Sequence, residues 1–183
     1  MKKLLALVLT FVLILGCTGK IYAEKFNGTY STYSEEILAG FDLTKDGTQT
    51  FNTVDKDGNE VVVKATKVEK TKIMSGNLGY GWDTWLIEYD SIFNHIEYYI
   101  DIYVYASNDL AEIDRIYDAS WYIPLYNVDK SDLQILRKLE TISRPAQAQL
   151  YLELSKLFVG GGSISGWIRT EIKDMHLTVT HNL

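Results

Sequence analysis

Apolar and polar residues alternate with a period of two through most of the chain from Thr29 to Ile123. Successive side chains of a β-strand point to opposite faces, so this period is typical of strands that bury one face. Asp46-Gly47 and Asp57-Gly58 interrupt the alternation. An Asp-Gly pair favours a hairpin turn because glycine adopts positive φ at little cost. The pattern predicts an antiparallel meander that begins with two successive hairpins.

Three strands carry most of the aromatic residues between Thr29 and Ile123. The alternation over Glu97–Tyr105 separates the isoleucines from a face that is rich in tyrosine, and Trp82–Tyr89 and Ile113–Ile123 are expected beside it. In Ile113–Ile123, the side chains of Tyr117, Ala119, Trp121 and Ile123 are expected to lie on one face. Tyrosine and tryptophan combine apolar area with one polar group, which suits a ligand pocket or a protein-binding face. The predicted lining consists of Trp85, Tyr99, Asp101, Tyr103, Tyr105 and Trp121. The alternative is that these rings fill or flank the core.

The period changes after Pro124. Ser131 or Asp132 can cap a helix whose apolar stripe is Ile135, Leu136, Leu139 and Ile142. Pro145 would end it, and Ser143 would cap a second helix with a stripe of Leu150, Leu154, Leu157 and Phe158. Three glycines from Gly160 stop that helix. Strand character returns over Gly166–Ile172 and Met175–Thr180, with Lys173-Asp174 as the turn of a hairpin.

These elements predict a mainly antiparallel β fold of the α+β class. Antiparallel strands avoid exposed edges best when the sheet curls and closes. We therefore expect a small barrel or a strongly curved sheet, with the late helical pair over one end or face and the C-terminal hairpin closing the fold. Asn27-Gly28-Thr29-Tyr30 resembles the Gly-x-Trp motif of lipocalins, with tyrosine in place of tryptophan. The resemblance implies a lipocalin-like barrel, and a mixed α+β sheet of another topology is the alternative.

The N-terminus has the pattern of an export signal. Two lysines precede the apolar run Leu4–Leu15, which is shorter than the roughly 20 residues of a spanning helix. Ile14-Leu15-Gly16-Cys17 resembles the lipobox of bacterial lipoproteins. The resemblance implies that a diacylglyceryl group is joined to the Cys17 sulfur and that the leader is cut before that residue. An ordinary secretory signal cut further on, for example after Ala23, or a retained anchor are the alternatives.

The chain is accordingly divided into three parts. Residues 1–16 form the signal peptide, residues 17–25 the lipidated cysteine and a short spacer, and residues 26–183 a single β-rich domain. The expected partner is a membrane of the bacterial cell envelope, reached through acyl chains on Cys17. Thr18 rather than aspartate follows that cysteine, which favours the outer membrane or the surface over the inner membrane.

Composition excludes several classes of function. The net charge is −6, and removal of Lys2 and Lys3 makes the mature chain more acidic, so nucleic-acid binding is not expected. Cys17 is the only cysteine, so its acylation leaves no thiol for a disulfide or a catalytic nucleophile. His176 and His181 are five residues apart on an expected strand and point to opposite faces, so they cannot share a metal. No metal and no cofactor is predicted.

The leading hypothesis is a non-catalytic envelope lipoprotein that binds a small apolar molecule or an envelope partner. The second is a structural or surface-exposed protein without a small ligand. The third is an envelope hydrolase that uses two carboxylates, for which Asp101, Asp114 and Asp118 are available. No spacing selects a pair among them, so no catalytic residue is assigned.

Overall fold

The computed structural model describes residues 37–55, 58–68, 81–157 and 162–183. This part of the chain is built from strands and contains no helix. It lies within one compact unit, Ser34–Leu183. The strands are β1 (Ile37–Asp42), β2 (Thr48–Val54), β3 (Glu60–Val68), β4 (Gly81–Ser91), β5 (His95–Val104), β6 (Ala111–Tyr122), β7 (Tyr126–Arg137), β8 (Ala146–Lys156), β9 (Ser163–Lys173) and β10 (His176–His181).

The strands form two antiparallel sheets of five strands each. Sheet 1 has the order β1-β10-β9-β8-β7, and sheet 2 has the order β2-β3-β4-β5-β6. The two sheets do not join into one closed ladder, so the predicted barrel and its lipocalin-like topology are wrong. Residues 27–30, on which the resemblance to lipocalins is based, lie outside the described residues.

The predicted late helical pair is also wrong, because the described residues of these segments contain no helix: the first segment lies in β7 and the connection after it, and the second lies mainly in β8. In β8, Ala146, Ala148, Leu150, Leu152 and Leu154 are all buried, and the polar or half-buried residues between them face away. Five buried positions in alternation are the pattern of a strand with one face in the core. Of the stripe expected for the first helix, Leu136, Leu139 and Ile142 are exposed, and Ile135 packs on the core.

The first expected hairpin does not form, whereas the second does. β1 pairs with β10, and the turn at Gly47, which has φ of 80°, carries the chain from one sheet to the other. Asp42 lies opposite His176 of β10, and its backbone is also bound by the Gln49 side chain, which accepts a hydrogen bond from Asp42 N at 2.9 Å and donates one to Asp42 O at 2.8 Å. β2 and β3 form the hairpin that the Asp57-Gly58 pair predicts.

The C-terminal hairpin is present. A two-residue turn joins β9 and β10, and the strand pairing begins beside it with Lys173 opposite His176. The turn residues are Asp174 and Met175, one position later than expected, and both have positive φ, at 51° and 64°. Two central residues with positive φ are typical of a tight hairpin turn that matches the twist of its strands.

The core lies between the two sheets. Ile, Leu, Val and aromatic side chains from both sheets form one buried cluster. Tyr98 of β5 and Thr170 of β9 are both buried, and their hydroxyls are 2.5 Å apart, which links the sheets by a hydrogen bond. Burial raises the pKa of Tyr98 above its ordinary range, so this hydroxyl stays protonated. Burial likewise raises the pKa of Tyr89 to about 12.

Glu140, a buried carboxylate in the connection between β7 and β8, forms hydrogen bonds with residues of both sheets. Its side chain is 0% exposed and accepts hydrogen bonds from the backbone N–H of Ala111 and of Asp174, each at 2.9 Å. Lys173 Nζ lies 3.5 Å from the same carboxylate. Buried charges are tolerated when they are paired and hydrogen-bonded. Glu140 therefore joins the start of β6 in sheet 2 to the β9–β10 turn in sheet 1.

Candidate functional site

The six residues of the predicted lining are divided between the two faces of sheet 2. β4 and β5 pair so that Thr84 lies opposite Asp101, and Tyr99, Asp101 and Tyr103 point away from sheet 1. Trp85 is on the opposite face and is 0% exposed in the core. Trp121 also packs against the core. The structure thus brings Tyr99, Asp101, Tyr103 and Tyr105 together and places the two tryptophans elsewhere.

A β-bulge adds Tyr117 to the outward face. Tyr99 pairs with Tyr117 while Glu97 pairs with Ser120, so two residues of β6 stand opposite Tyr98. One of them, Asp118, has φ of 50°. Such an extra residue shifts the alternation of the strand by one position. The expectation that Tyr117 shares a face with Trp121 is therefore wrong.

Trp82 is a further residue of this face that the sequence analysis did not select. It lies opposite Tyr103 in the β4–β5 pairing and is 51% exposed. Its distance of three positions from Trp85 is odd, and an odd spacing on a strand means opposite faces. This odd spacing is the feature of the sequence that predicts Trp82 and Trp85 on opposite faces. We define the outer aromatic cluster as Trp82, Tyr99, Tyr103, Tyr105 and Tyr117.

The rings of the outer aromatic cluster make contacts in two groups, Tyr99 with Tyr117 and Tyr103 with Trp82 and Tyr105. Tyr99 and Tyr117 are stacked, with centroids 5.7 Å apart and 19° between their planes. Trp82 and Tyr103 have centroids 5.0 Å apart, and Tyr103 meets the edge of Tyr105 at 4.7 Å. Aromatic pairs at such distances gain about 0.5–1.5 kcal/mol beyond the area that they bury. The contacts hold the rings in fixed positions on an outward surface.

Asp101 lies beneath this cluster and is only 2% exposed. Thr84 Oγ1 donates to its Oδ1 at 2.5 Å, and Arg115 Nε and Nη2 donate to its Oδ2 at 2.7 and 2.6 Å. The Tyr117 hydroxyl donates to Oδ1 at 3.3 Å. Both oxygens of the carboxylate thus accept hydrogen bonds, which compensates for burial of the charge.

Arg115 is held in turn by Asp101. Its hydrogen bond to that carboxylate raises the pKa of the Arg115 guanidinium. The guanidinium carbon lies 4.6 Å from the centroid of the Tyr117 ring, a cation–π distance. Burial raises the pKa of Tyr117. Asp101 therefore fixes a cation and a phenol at the surface and is best described as a positioning residue.

An ion-paired rim borders the cluster at Tyr105. The Tyr105 hydroxyl donates a short hydrogen bond to Glu112, and this bond raises the pKa of Tyr105 and lowers the pKa of Glu112. Lys138 Nζ lies 3.0 Å from Glu112 and 3.5 Å from Asp114. The rim is polar, and the aromatic cluster beside it is apolar, which is the division found in protein interfaces.

Neither the histidines nor the carboxylates of the described ranges are arranged as a metal site. Among the residues that the structure describes, no group of three or more His, Cys, Asp or Glu side chains could hold a metal ion. His176 Nδ1 lies 2.7 Å from the backbone oxygen of Asp174, and the His181 ring contacts Tyr89 at 4.8 Å. Cys17 lies outside the described residues.

His95 and Asp90 form an ion pair on the outward face of sheet 2, at the far end from Tyr103. His95 Nδ1 is 2.6 Å from Asp90 Oδ1, and Lys64 Nζ is 3.1 Å from Asp90 Oδ2. The hydrogen bond to Asp90 raises the pKa of His95 above its ordinary value of 6.5. Burial pushes the pKa of Asp90 upward, but the hydrogen bonds from His95 and Lys64 outweigh it and hold that pKa below 3.8.

We expect this pair to stabilise the fold fully only between about pH 3.8 and pH 6.5. The stabilisation by His95 is present below its unfolded pKa and is lost as the pH rises through the folded one. The stabilisation by Asp90 is lost as the pH falls through its lowered pKa. Both side chains are about one-third exposed, so the effect is within about 1 kcal/mol.

The measurement is the difference in melting temperature between the wild type and His95→Gln at about pH 5.5 and about pH 9. The difference should shrink at the higher pH. A His95→Gln difference that is the same at both pH values would contradict the ion pair.

The comparisons with known proteins indicate no function. No protein-family model matches the chain, and no curated protein matches it in sequence. Among solved structures, the chain is similar to a hypothetical protein from Listeria monocytogenes EGD-e, at a TM-score of 0.43 and 19% identity, over 78% of this chain and 100% of that one. None of the described residues belongs to a helix of the length and hydrophobicity needed to span a membrane.

Proposed function

We propose that this chain is a non-catalytic lipoprotein of the bacterial cell envelope that binds a partner protein through the outer aromatic cluster. The observation that carries the proposal is the cluster itself, in which five aromatic side chains lie on the outward face of one sheet in two contacting groups. Tryptophan, tyrosine and arginine are the residues that contribute most energy to protein interfaces. Arg115 supplies the arginine in this arrangement.

The contacts beneath the cluster also support binding. Asp101 holds Arg115 and Tyr117, and ring contacts hold Tyr99, Tyr103 and Tyr105. Side chains that are already ordered lose less conformational entropy when a partner binds. A surface that is fixed in advance therefore favours recognition of a macromolecule with matching shape.

A partner protein is favoured over a small apolar ligand by the way the sheets pack. A small apolar ligand held inside the fold would lie between the two sheets, where Trp85, Tyr98, Ile100 and Leu152 are buried together with other core residues.

The two carboxylate oxygens of Asp101 accept four donor contacts, which supports a positioning role for this residue over a role in proton transfer.

The tether is proposed from the N-terminal residues. The leader of residues 1–16 and Cys17 supply an export signal and an acylation site, and Thr18 favours the outer membrane or the surface. One acyl chain gives only marginal binding to a membrane, whereas two anchor a protein stably. The binding domain would thus be held at a membrane while its outer face is presented to the partner.

The experiment is photocrosslinking in cells that make the full chain. A photoreactive amino acid replaces Leu86, which lies beside Tyr99 on the outward face, and the matched control replaces Glu153 on the outward face of sheet 1. We expect a discrete crosslinked protein from position 86 only. The substitution Tyr103→Ala should reduce that product roughly tenfold, as for the loss of an interface hot spot. Absence of a product at position 86, or a product that Tyr103→Ala leaves unchanged, would overturn the proposal.

A further inference from the structure

The edge strand β2 is accessible on both faces. Its side chains are exposed at all positions except Gln49 and Thr53, which are half-buried. Phe51 lies opposite Val63, a fully buried core residue, and residues that lie opposite each other share a face of the sheet. Phe51 itself is nevertheless 40% exposed. The strand therefore extends beyond the part of sheet 2 that sheet 1 covers.

The outer edge of β2 carries backbone hydrogen-bonding groups. Among the described residues, β3 is the only strand that pairs with β2. Lys67 N donates to Gly47 O at 3.0 Å and Asp55 N donates to Asn59 O at 2.9 Å, so the odd-numbered residues of this segment bond toward β3. Hydrogen-bonded pairs alternate along an antiparallel ladder. The even-numbered residues therefore direct their N–H and C=O groups to the free edge, and they are Thr48, Thr50, Asn52 and Val54.

The composition of β2 favours pairing with a further strand. The strand reads Thr-Gln-Thr-Phe-Asn-Thr-Val and contains no charged residue, proline or glycine. Threonine, phenylalanine and valine are enriched in strands. Edge strands of natural proteins are usually protected from such pairing by charges or proline. The edge strands β6 and β7 follow this rule, since each carries both acidic and basic residues, whereas β2 does not.

We propose that β2 pairs in antiparallel fashion with β2 of a second copy of this chain, so that two copies of sheet 2 join into one continuous sheet. The pairing is centred on Phe51, which lies opposite Phe51 of the second copy. Thr50 then lies opposite Asn52, and Thr48 opposite Val54. Each of these residues directs its backbone groups to the free edge, so the register forms about eight backbone hydrogen bonds.

Charge and side-chain contacts favour a second copy as the occupant of this edge. Each copy has a net charge of −6, and contact through an uncharged strand keeps their repulsion small. The carboxylates that flank β2 are compensated within the chain. Lys67 Nζ lies 3.3 Å from Asp46 at one end, and Asn59 N donates to Asp55 at 2.9 Å at the other.

The self-pair also covers the exposed ring of Phe51. The two Phe51 residues form a non-hydrogen-bonded pair, in which opposite side chains are closest, and aromatic cross-strand pairs stabilise a sheet. A second β2 thus supplies an uncharged strand of equal length whose ring contacts that of Phe51.

Self-pairing leaves the outer aromatic cluster accessible. The cluster lies on the side of β4, β5 and β6, and β2 is at the opposite edge of the sheet. Antiparallel pairing keeps the outward faces of the two copies on the same side, so the dimer presents two clusters. Two linked sites bind a partner that has two matching sites more tightly than one site does. The pairing itself does not depend on the identity of that partner.

The experiment is disulfide crosslinking between copies in cells that make the full chain. Phe51→Cys places two thiols opposite each other with Cα atoms roughly 4.5 Å apart, a distance that a disulfide can bridge. The matched control is Thr53→Cys on the same face of β2, which in this register lies opposite Gln49 instead of itself. We expect mild oxidation to give at least several-fold more disulfide-linked dimer from position 51 than from position 53. The wild type reports any dimer that forms through Cys17, the only native cysteine.

Two further substitutions test the edge itself. Asn52→Pro removes an N–H that points away from β3, so the β2–β3 hairpin should stay folded. Asn52→Lys introduces the charge that protects other edge strands, and it serves as the test if the proline variant does not fold. Each substitution, added to Phe51→Cys, should reduce the dimer several-fold, and the melting temperature shows that the variant is folded.

Three outcomes would overturn the self-pairing. The first is an equal yield of dimer from positions 51 and 53, or no dimer from position 51. The second is a dimer whose yield a folded Asn52→Lys variant leaves unchanged. The third is a disulfide-linked product of another mass at position 51, which would show that a different chain occupies this edge.

Discussion

Replacement of Trp85 by alanine is expected to destabilise the fold by about 3–5 kcal/mol, the usual cost of removing a large buried aromatic side chain. Trp85 is 0% exposed in the core between the sheets. For a domain of this size, the loss corresponds to a fall in melting temperature of roughly 6–20 °C. Trp85→Phe should cost much less, because the indole Nε1 has no hydrogen-bond partner among the described residues and phenylalanine keeps most of the apolar contact.

Tyr103→Ala is the matched variant on the outward face. It removes ring contacts with Trp82 and Tyr105 but leaves the core intact, so we expect a loss of no more than about 1–2 kcal/mol. Thermal unfolding followed by circular dichroism measures both variants. Equal losses for Trp85→Ala and Tyr103→Ala would mean that the two rings do not lie on opposite faces of sheet 2.

Cys17→Ala is expected to abolish acylation of the chain. Without the sulfur, no diacylglyceryl group can be joined at that position, and the protein should leave the detergent phase in a phase-separation assay. The measurement combines that assay with the incorporation of an alkyne fatty acid in cells. The control is Thr18→Ala, which keeps the cysteine and should keep the label.

Two results would contradict the tether. One is a wild-type protein that takes up no fatty acid. The other is a mature protein whose N-terminus lies beyond Cys17, since that residue would then be removed with the leader. Either result would return the N-terminal segment to the ordinary secretory signal that the sequence also allows.

The strands that alternate strictly were predictable from the sequence, and the helical pair was wrong for a specific reason. Leu150 and Leu154 are four residues apart, and a spacing of four places residues on one face of a helix and also on one face of a strand. Ala146, Ala148 and Leu152 complete the period of two, but alanine is a weak apolar signal. The choice between the two periods depended on pairing with β7 and β9, which local sequence does not specify.

Pairing of distant strands explains the other differences. Asp46-Gly47 has the sequence of a hairpin turn, yet β1 pairs with β10 at the far end of the chain. The candidate site was predictable for Tyr99, Asp101, Tyr103 and Tyr105, which depend on the period of one strand. Placing Trp85 and Trp121 required the relation between strands and sheets.

The most direct test of the outer aromatic cluster as a recognition surface is hydroxyl-radical oxidation of Trp82, quantified by mass spectrometry. Trp82 is 51% exposed, and Trp167 on sheet 1 serves as the internal reference. We predict that Trp82 is oxidised several-fold more slowly, relative to Trp167, in intact cells than in the purified full-length protein. Equal relative rates in the two preparations would show that nothing covers the cluster in the cell and would contradict the proposed function.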